Sequence, residues 1–342
     1  MSKLLSIIIP SYNMERYLRK CLCSACIEDE NLLDMLEVLV VNDGSTDETS
    51  AIAHEFANLH PSVFHVIDKV NGHYGSCINR GLLDARGTFV RLLDADDYLD
   101  TNGLKTLLTF LQGINDPHCG IDAVLTDYQC ITSKHKIVSS VTPPFNHNTE
   151  ITLEEFATNP YDRQMPAITY RRSIFDKLNY KQTEGIAYTD TEWIFLPMTR
   201  VRKLTYLNAL VYNYRIDREG QSMAPNVFIR QLDMLHQTLQ TKINEYTARK
   251  SEWSTPAKDY ADSQLAREIA NLFFNCLKAS NSRILSDLDE LLNHELQEIK
   301  HKVGFDGALF VNPFIKFLFA KGCCQHHFLR PLMRCLINCV LK

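Results

Sequence analysis

The first hundred residues alternate between two hydrophobic periods. "LLSIIIPSY" (4–12) is a continuous, largely β-branched run of the kind a strand buried on both faces requires. "MERYLRKCLCSAC" changes to helical spacing, with Tyr17, Leu18, Cys21 and Leu22 on one side. "LEVLVVNDG" predicts a second buried strand. "STDETSAIAHEFANLH" predicts a helix with Ser45 as N-cap and Glu48 at the capping-box position. A third strand, "VFHVID", a third helix, "GSCINRGLLDAR", ended by Gly87, and a fourth strand, "TFVRLLDADD", complete the series. Strand and helix in this order imply right-handed crossovers and a doubly wound, mostly parallel α/β sheet.

Between about 104 and 220 the pattern is mixed. "DAVLTDYQCI" and "KLTYLNALVYNYRI" predict strands, while "LEEFATNP", "RSIFDKL" and "DTEWIFLPM" predict helices. From about 226 to 300 good helix formers dominate. The last forty residues are apolar and basic, carrying Lys316, Lys321, Arg330, Arg334 and Lys342 with almost no acid after Asp306. That run is interrupted too often to span a bilayer. It fits either an anionic membrane surface or a helix packed onto the core.

Composition narrows the class. A net charge of −5 and 45% hydrophobic residues describe an ordinary globular protein and give no support to nucleic-acid binding. The apolar N-terminal run stops at Pro10, too short for a span and without a small-residue cleavage site, so the expected compartment is the cytoplasm. Eleven cysteines in a chain of 342 residues do not make a disulfide scaffold. Cys21, Cys23 and Cys26 fall in a helical pattern with no second CxxC pair, and read as reduced thiols rather than a zinc site.

Candidate chemistry collects at the strand ends, where open α/β sheets bind ligands. Ser11, Tyr12 and Asn13 follow the first strand, Asn42, Asp43 and Gly44 the second, Asp68 the third. The fourth stops in Asp94, Asp96, Asp97 and Asp100, four acids within seven positions. Carboxylates spaced D-x-D can hold a divalent cation that also takes substrate phosphates. Alone, "DADD" reads more readily as a turn cap, but it is accompanied by Asp43, by an aromatic at Tyr12 and by the small residues of "NGHYGSCINRG".

Taken together, "SIIIPSYN", "VVNDGSTDET", "NGHYGSCINRGLLDARGTFVRLLDADDYLD", "YTDTEW" and "YRIDREGQSM" resemble the family 2 glycosyltransferases of the GT-A fold, over roughly residues 4–223. The resemblance implies a GT-A domain over 1–223 and a helical C-terminal extension over 224–342. It implies sugar transfer from a nucleoside diphosphate sugar, a UDP-sugar in the first instance, to an acceptor hydroxyl with inversion. The acceptor implied is a surface polysaccharide or lipid-linked oligosaccharide, reached by a protein that is cytoplasmic or peripheral on the inner membrane face.

Residue by residue, the resemblance puts Pro10 and Tyr12 beside the nucleoside, and Asp43 on the base. His73 reaches the base or phosphates, or is a surface residue. Asp94 and Asp96 occupy the DxD position, with Asp96 as central ligand of Mg²⁺ or Mn²⁺ and Asp94 and Asp97 sharing the rest. Inversion needs a general base, for which "GIAYTDTEWIF" offers Asp190 ahead of Glu192. Trp193 lines the acceptor cleft or belongs to the core. Arg215 and Arg218 fall where relatives close over the diphosphate. No His lies between Val201 and Met223 to join the cation. A lapsed enzyme that binds nucleotide or glycan without turnover is the alternative. Other classes fit less well: GxGxxG is absent, no Gly-rich basic loop follows the first strand, and an aspartyl phosphatase would carry D-x-D after the first strand rather than the fourth.

Overall fold

The computed structural model describes residues 3–159, 164–217 and 231–305. The chain divides into two compact units, Met1–Phe156 with Tyr161–Glu219, and Ala157–Pro160 with Gly220–Lys342.

The first unit is built on one sheet. β1 (Leu5–Ser11), β2 (Leu36–Asn42), β3 (Phe64–Asp68) and β4 (Phe89–Leu92) lie parallel in the order β3-β2-β1-β4. All seven residues of β1 and of β2 are buried, as their continuous apolar runs require. Helices α1 (Leu18–Ser24), α2 (Glu30–Met35), α3 (Thr49–Leu59) and α4 (His73–Asp84) fall between these strands. The sheet continues through β9 (Ile168–Arg171), β6 (Ala123–Ile131), β10 (Lys203–Arg215) and β5 (Tyr98–Leu99). β6 and β10 run parallel, whereas β9 is antiparallel to both β4 and β6. β7 (Ile137–Val141) and β8 (Glu150–Thr152) pair with β6 and β10 off this path. α5 (Thr101–Gly113), α6 (Leu153–Thr158), α7 (Ser173–Leu178) and α8 (Asp190–Phe195) complete the helices up to residue 217.

A fully buried arginine joins the two halves of the sheet. Arg91 on β4 donates to the Thr169 hydroxyl on β9 at 2.8 Å, to the Thr126 hydroxyl on β6 at 3.3 Å, and to the Pro166 carbonyl. Burial pulls its guanidinium down to about 10.

Two helix ends differ from the sequence expectation. Ser45 caps nothing: α3 begins at Thr49 with Glu48 in the cap position, and the Ser45 hydroxyl accepts from the Asn13 backbone N–H at 3.0 Å. A tertiary partner outcompetes the local box. Gly87 does not end α4, which stops at Asp84. It instead donates its N–H to Ser6 Oγ at 2.8 Å, under the first strand.

The second unit is helical: α9 (Leu232–Arg249), α10 (Thr255–Ala279), α11 (Ser282–His294) and α12 (Lys300–Phe305). Its core holds Leu239, Ile243, Tyr260, Leu265, Ile269, Phe273, Ile284 and Leu288. Ser254 caps α10 through a bond from the Ala257 N–H, and Ser280 ends it in the left-handed region. Asp262, 4% exposed, accepts from the Tyr246 hydroxyl at 2.8 Å and pairs with Lys258 and Lys302. The basic apolar tail lies outside the described residues. No helix among the described residues is long and apolar enough to cross a membrane.

Candidate active site

β1 is the point where strand order reverses, with β2 on one side and β4 on the other. The residues that follow these carboxyl ends lie on one rim of the sheet, where open α/β sheets bind ligands. Pro10 is buried in β1, and Tyr12 projects with 47% exposure. Asn13 is left-handed (φ 54°), and its Oδ1 accepts from the Thr46 N–H at 2.9 Å. The loops after β1 and β2 are thereby laced together.

Asp43, at the end of β2, is 2% exposed. Its Oδ1 accepts from Lys69 Nζ at 2.6 Å and from the Gly72 N–H at 2.9 Å. Lys69 also donates to the Val70 carbonyl at 2.7 Å and to Ser76 Oγ at 2.8 Å. Burial, then the nearby Asp43, pushes the Cys77 thiol up to about 12, so it remains a donor toward that carboxylate. The end of β2, the loop after β3 and the first turn of α4 are therefore pinned by one carboxylate and one ammonium. His73, the first residue of α4, is exposed and left-handed (φ 64°) on the same rim.

The acids after β4 form a cluster. One oxygen each from Asp94, Asp96 and Asp97 lie within 4.8 Å of one another. Asp94 and Asp96 are half-buried, whereas Asp97 is 1% exposed. Asp97 accepts from the Tyr212 hydroxyl at 2.7 Å and from the Arg215 backbone N–H at 2.7 Å, both on β10. Asp94 accepts from the Tyr74 hydroxyl at 3.0 Å, and its N–H donates to the Tyr212 hydroxyl at 3.2 Å. Burial raises Asp97 well above the usual carboxylate range, and Asp96 and Asp94 raise it further. Three converging hard oxygen donors fit Mg²⁺ or Mn²⁺.

Asp190 is the exposed first residue of α8. Thr189, not Asp190, occupies the cap position, and Tyr188 before it is left-handed (φ 63°). Asp190 and the acids after β4 act electrostatically on the same two tyrosines. Burial first, then Asp94 and Asp190, raises the Tyr74 phenol well above its ordinary value. Tyr214 is likewise raised by burial, with Asp97, Asp94, Asp96 and Asp190 adding to it. Glu192 is 5% exposed and accepts from the Thr183 N–H at 2.8 Å, which ties it to the preceding loop. Trp193 is fully buried and stacks on Phe175 at 4.6 Å, so it is core and lines no cleft. Arg215 meets the acids through its backbone, while its guanidinium packs 4.7 Å from the Tyr17 ring centroid. Arg218 lies outside the described residues.

Sequence reasoning missed Lys69, Tyr74, Tyr212 and Gln182. Tyr74 carried a signal, as an aromatic among the small residues of "NGHYG". A lysine one residue past a strand end carries none.

The sheet order β3-β2-β1-β4, with an acid cluster at the switch point, is that of the GT-A fold. Residues 6–179, just over half the chain, match the family model described as glycosyl transferase family 2, and the chain belongs to that family. An uncharacterized glycosyltransferase of Mycoplasma pneumoniae, the MG025 homolog, is 27% identical over 221 residues, covering 64% of this chain and 70% of the relative. The chondroitin synthase of Pasteurella multocida is 29% identical over 226 residues, 64% of this chain but 21% of that protein. Among solved structures, S. aureus TarS in complex with UDP-GlcNAc aligns with TM-score 0.57 at 18% identity, over 93% of this chain and 92% of that one. The mannosyltransferase PcManGT of Pyrobaculum calidifontis, in complex with GDP-Man and Mn²⁺, aligns with TM-score 0.52 at 16% identity, over 98% and 87%. These two likenesses concern the fold.

Proposed function

We propose that this chain is an active inverting glycosyltransferase that moves a sugar from a UDP-sugar to a hydroxyl of a growing surface polysaccharide or lipid-linked oligosaccharide. The observation that carries the reading is the three-carboxylate cluster at the switch point, and Asp190 lies close enough to act on Tyr74 and Tyr214 as those acids do. The bound UDP-GlcNAc of TarS and the polymer made by the Pasteurella synthase are consistent with the donor and acceptor classes.

Asp96 and Asp94 would hold Mg²⁺ or Mn²⁺ from the open side and Asp97 from the buried side. A divalent cation there neutralises the diphosphate against these acids and eases its departure. Pro10 and Tyr12 border the nucleoside. The Asp43 and Lys69 pair fixes the rim against which the base rests, and His73 stands beside it. Tyr74 stays protonated and presents a donor at the cluster. Transfer is a single displacement. The acceptor oxygen attacks the anomeric carbon, the bond to the β-phosphate oxygen breaks on the opposite face, and Asp190 takes the hydroxyl proton. Glu192 holds the loop behind α8.

The test is a thermal-shift panel of nucleoside diphosphate sugars, each with Mn²⁺ and with chelator, followed by an assay of UDP release. A ligand that binds only the folded state raises Tm. A shift for one UDP-sugar that chelator abolishes, with UDP release lost in Asp190→Asn but binding kept, is the expected result. A chelator-insensitive shift would refute the metal site. Binding without UDP release under any acceptor would favour the lapsed reading.

A further inference from the structure

The loop that delivers Asp190 is locked from behind by one side chain. Gln182 is fully buried, and all of its polar groups are used. Its backbone N–H donates to Asn79 Oδ1 at 2.8 Å, and its carbonyl accepts from Asn79 Nδ2 at 2.9 Å. A side-chain amide on α4 thus pairs with the loop as a neighbouring strand would. Its own amide reaches forward: Nε2 donates to the Thr189 carbonyl at 2.8 Å and to Thr189 Oγ1 at 3.1 Å, while Oε1 accepts from the Tyr180 hydroxyl at 3.0 Å. Thr189 is the residue between left-handed Tyr188 and Asp190.

Three further contacts fasten the same loop to α4. The Gly185 N–H donates to the Gly72 carbonyl at 3.0 Å, and Asn79 Nδ2 also donates to Glu184 at 2.8 Å. A Cβ added at Gly75 would stand 1.9 Å from the Thr183 carbonyl oxygen, so the helix approaches as closely as a glycine allows. Left-handed backbone is disfavoured for a non-glycine residue and persists only where the surroundings over-determine it.

We infer that Gln182 is a positioning residue for transfer: by gripping Thr189 it holds Tyr188 left-handed and thereby aims Asp190 at the space beside Tyr74 and Asp94. The inference rests on the reading of Asp190 as the base. Donor-side α4 and the acceptor-side start of α8 then move as one body, and the distance from base to acid cluster is set by an amide that touches no substrate.

Two variants test it, each checked for a folded state by circular dichroism. Gln182→Met keeps the volume and removes both donors. Gln182→Glu keeps the acceptor for Tyr180 and removes the donors to Thr189. In crystal structures of both, Tyr188 is expected to relax to negative φ, and hydrogen exchange is expected to rise over 186–191 while 73–84 stays protected. UDP affinity with Mn²⁺ should stay within about twofold, while UDP release falls about 10- to 100-fold, the loss that a misplacement of about 1 Å produces. Because Gln182 acts through Asp190, the double variant Gln182→Met with Asp190→Asn should be no slower than Asp190→Asn alone. An unmoved Tyr188 in both variants, or rate losses that multiply in the double variant, would overturn the inference. Asp190→Asn at full rate would instead remove the base reading, and the conformation of Tyr188 would still decide whether Gln182 holds the loop.

Discussion

Lys69→Met is the most informative single change on the donor rim. Among the described residues, the Lys69 ammonium is the one cation donating to the Asp43 carboxylate, at 2.6 Å, with side-chain exposures of 21% and 3%. Replacing it leaves a buried carboxylate with the Gly72 N–H and the Cys77 thiol, and also strips a donor from Ser76. Breaking a buried pair from one side costs about 3–5 kcal/mol. Lys69 keeps some solvent contact, so the lower end, ~3 kcal/mol, is expected, or about 6–12 °C in Tm for a unit of this size. The two tryptophans make the assay specific, since Trp193 lies in the sheet unit and Trp253 in the helical one. Urea unfolding is followed by Trp193 fluorescence in a Trp253→Phe background. Asp43→Asn added to Lys69→Met should recover about 2 kcal/mol, because the uncompensated charge is gone. A Lys69→Met cost under about 1 kcal/mol with no coupling to Asp43→Asn would refute the account of the pair.

Asp96→Ala is expected to abolish Mn²⁺-dependent UDP binding in calorimetry, and unchanged affinity would sink the cation site. Arg91→Met should cost about 1–3 kcal/mol in urea unfolding, because it leaves the buried Pro166 carbonyl and Thr169 hydroxyl without their donor. Arg91→Ala should cost about 3 kcal/mol or more by adding a cavity, and equal costs would contradict this. In the helical unit, the hydrogen bond from Lys250 holds Glu298 down at about 2, against an ordinary value of 4.5. A depressed folded-state value stabilises above pH 4.5 and is lost as pH falls toward 2. Glu298→Gln should therefore flatten the Tm profile across that window in calorimetry, and parallel profiles would refute the assignment.

The parts of the fold that were legible are those whose physics is local. β1, β2 and β4 are buried on both faces, so their sequences are unbroken apolar runs, and the acids that follow mark the ligand rim. β9 was not legible. "ITYR" is four residues long, and its place between β4 and β6 is set by partners about 80 and 45 positions away in sequence. Ser45 and Glu48 do form a capping pattern in the sequence, but Asn13 claims the Ser45 hydroxyl. Trp193 is ambiguous as a letter and resolved by Phe175, Tyr170 and Tyr180 around it. The site's acids could be found because they follow a buried strand and are accompanied by Asp43, Tyr12 and the small residues of "NGHYGSCINRG" at the neighbouring strand ends. Lys69 and Gln182 could not, because their partners arrive only with the fold.

The backbone strain has a pattern that bears on how such a site works. Asn13, His73 and Tyr188 are non-glycine residues in left-handed conformation, and they stand at the end of β1, the start of α4 and the approach to α8. Two are adjacent to a tie that crosses between elements, Asn13 to Ser45 and Thr46 and Tyr188 to Gln182 through Thr189, while the His73 carbonyl accepts from Ser76 within the first turn of α4. Strain of about 1–2 kcal/mol at each position is therefore offset by a few hydrogen bonds of comparable worth. A displacement that separates a diphosphate from a sugar gains most from dipoles and charges that do not have to reorganise as it proceeds. On the proposed function, ties that oppose strain would keep the rim after β2, the acid cluster and Asp190 in place, so a change in any one tie should appear first as lost turnover and only second as lost binding.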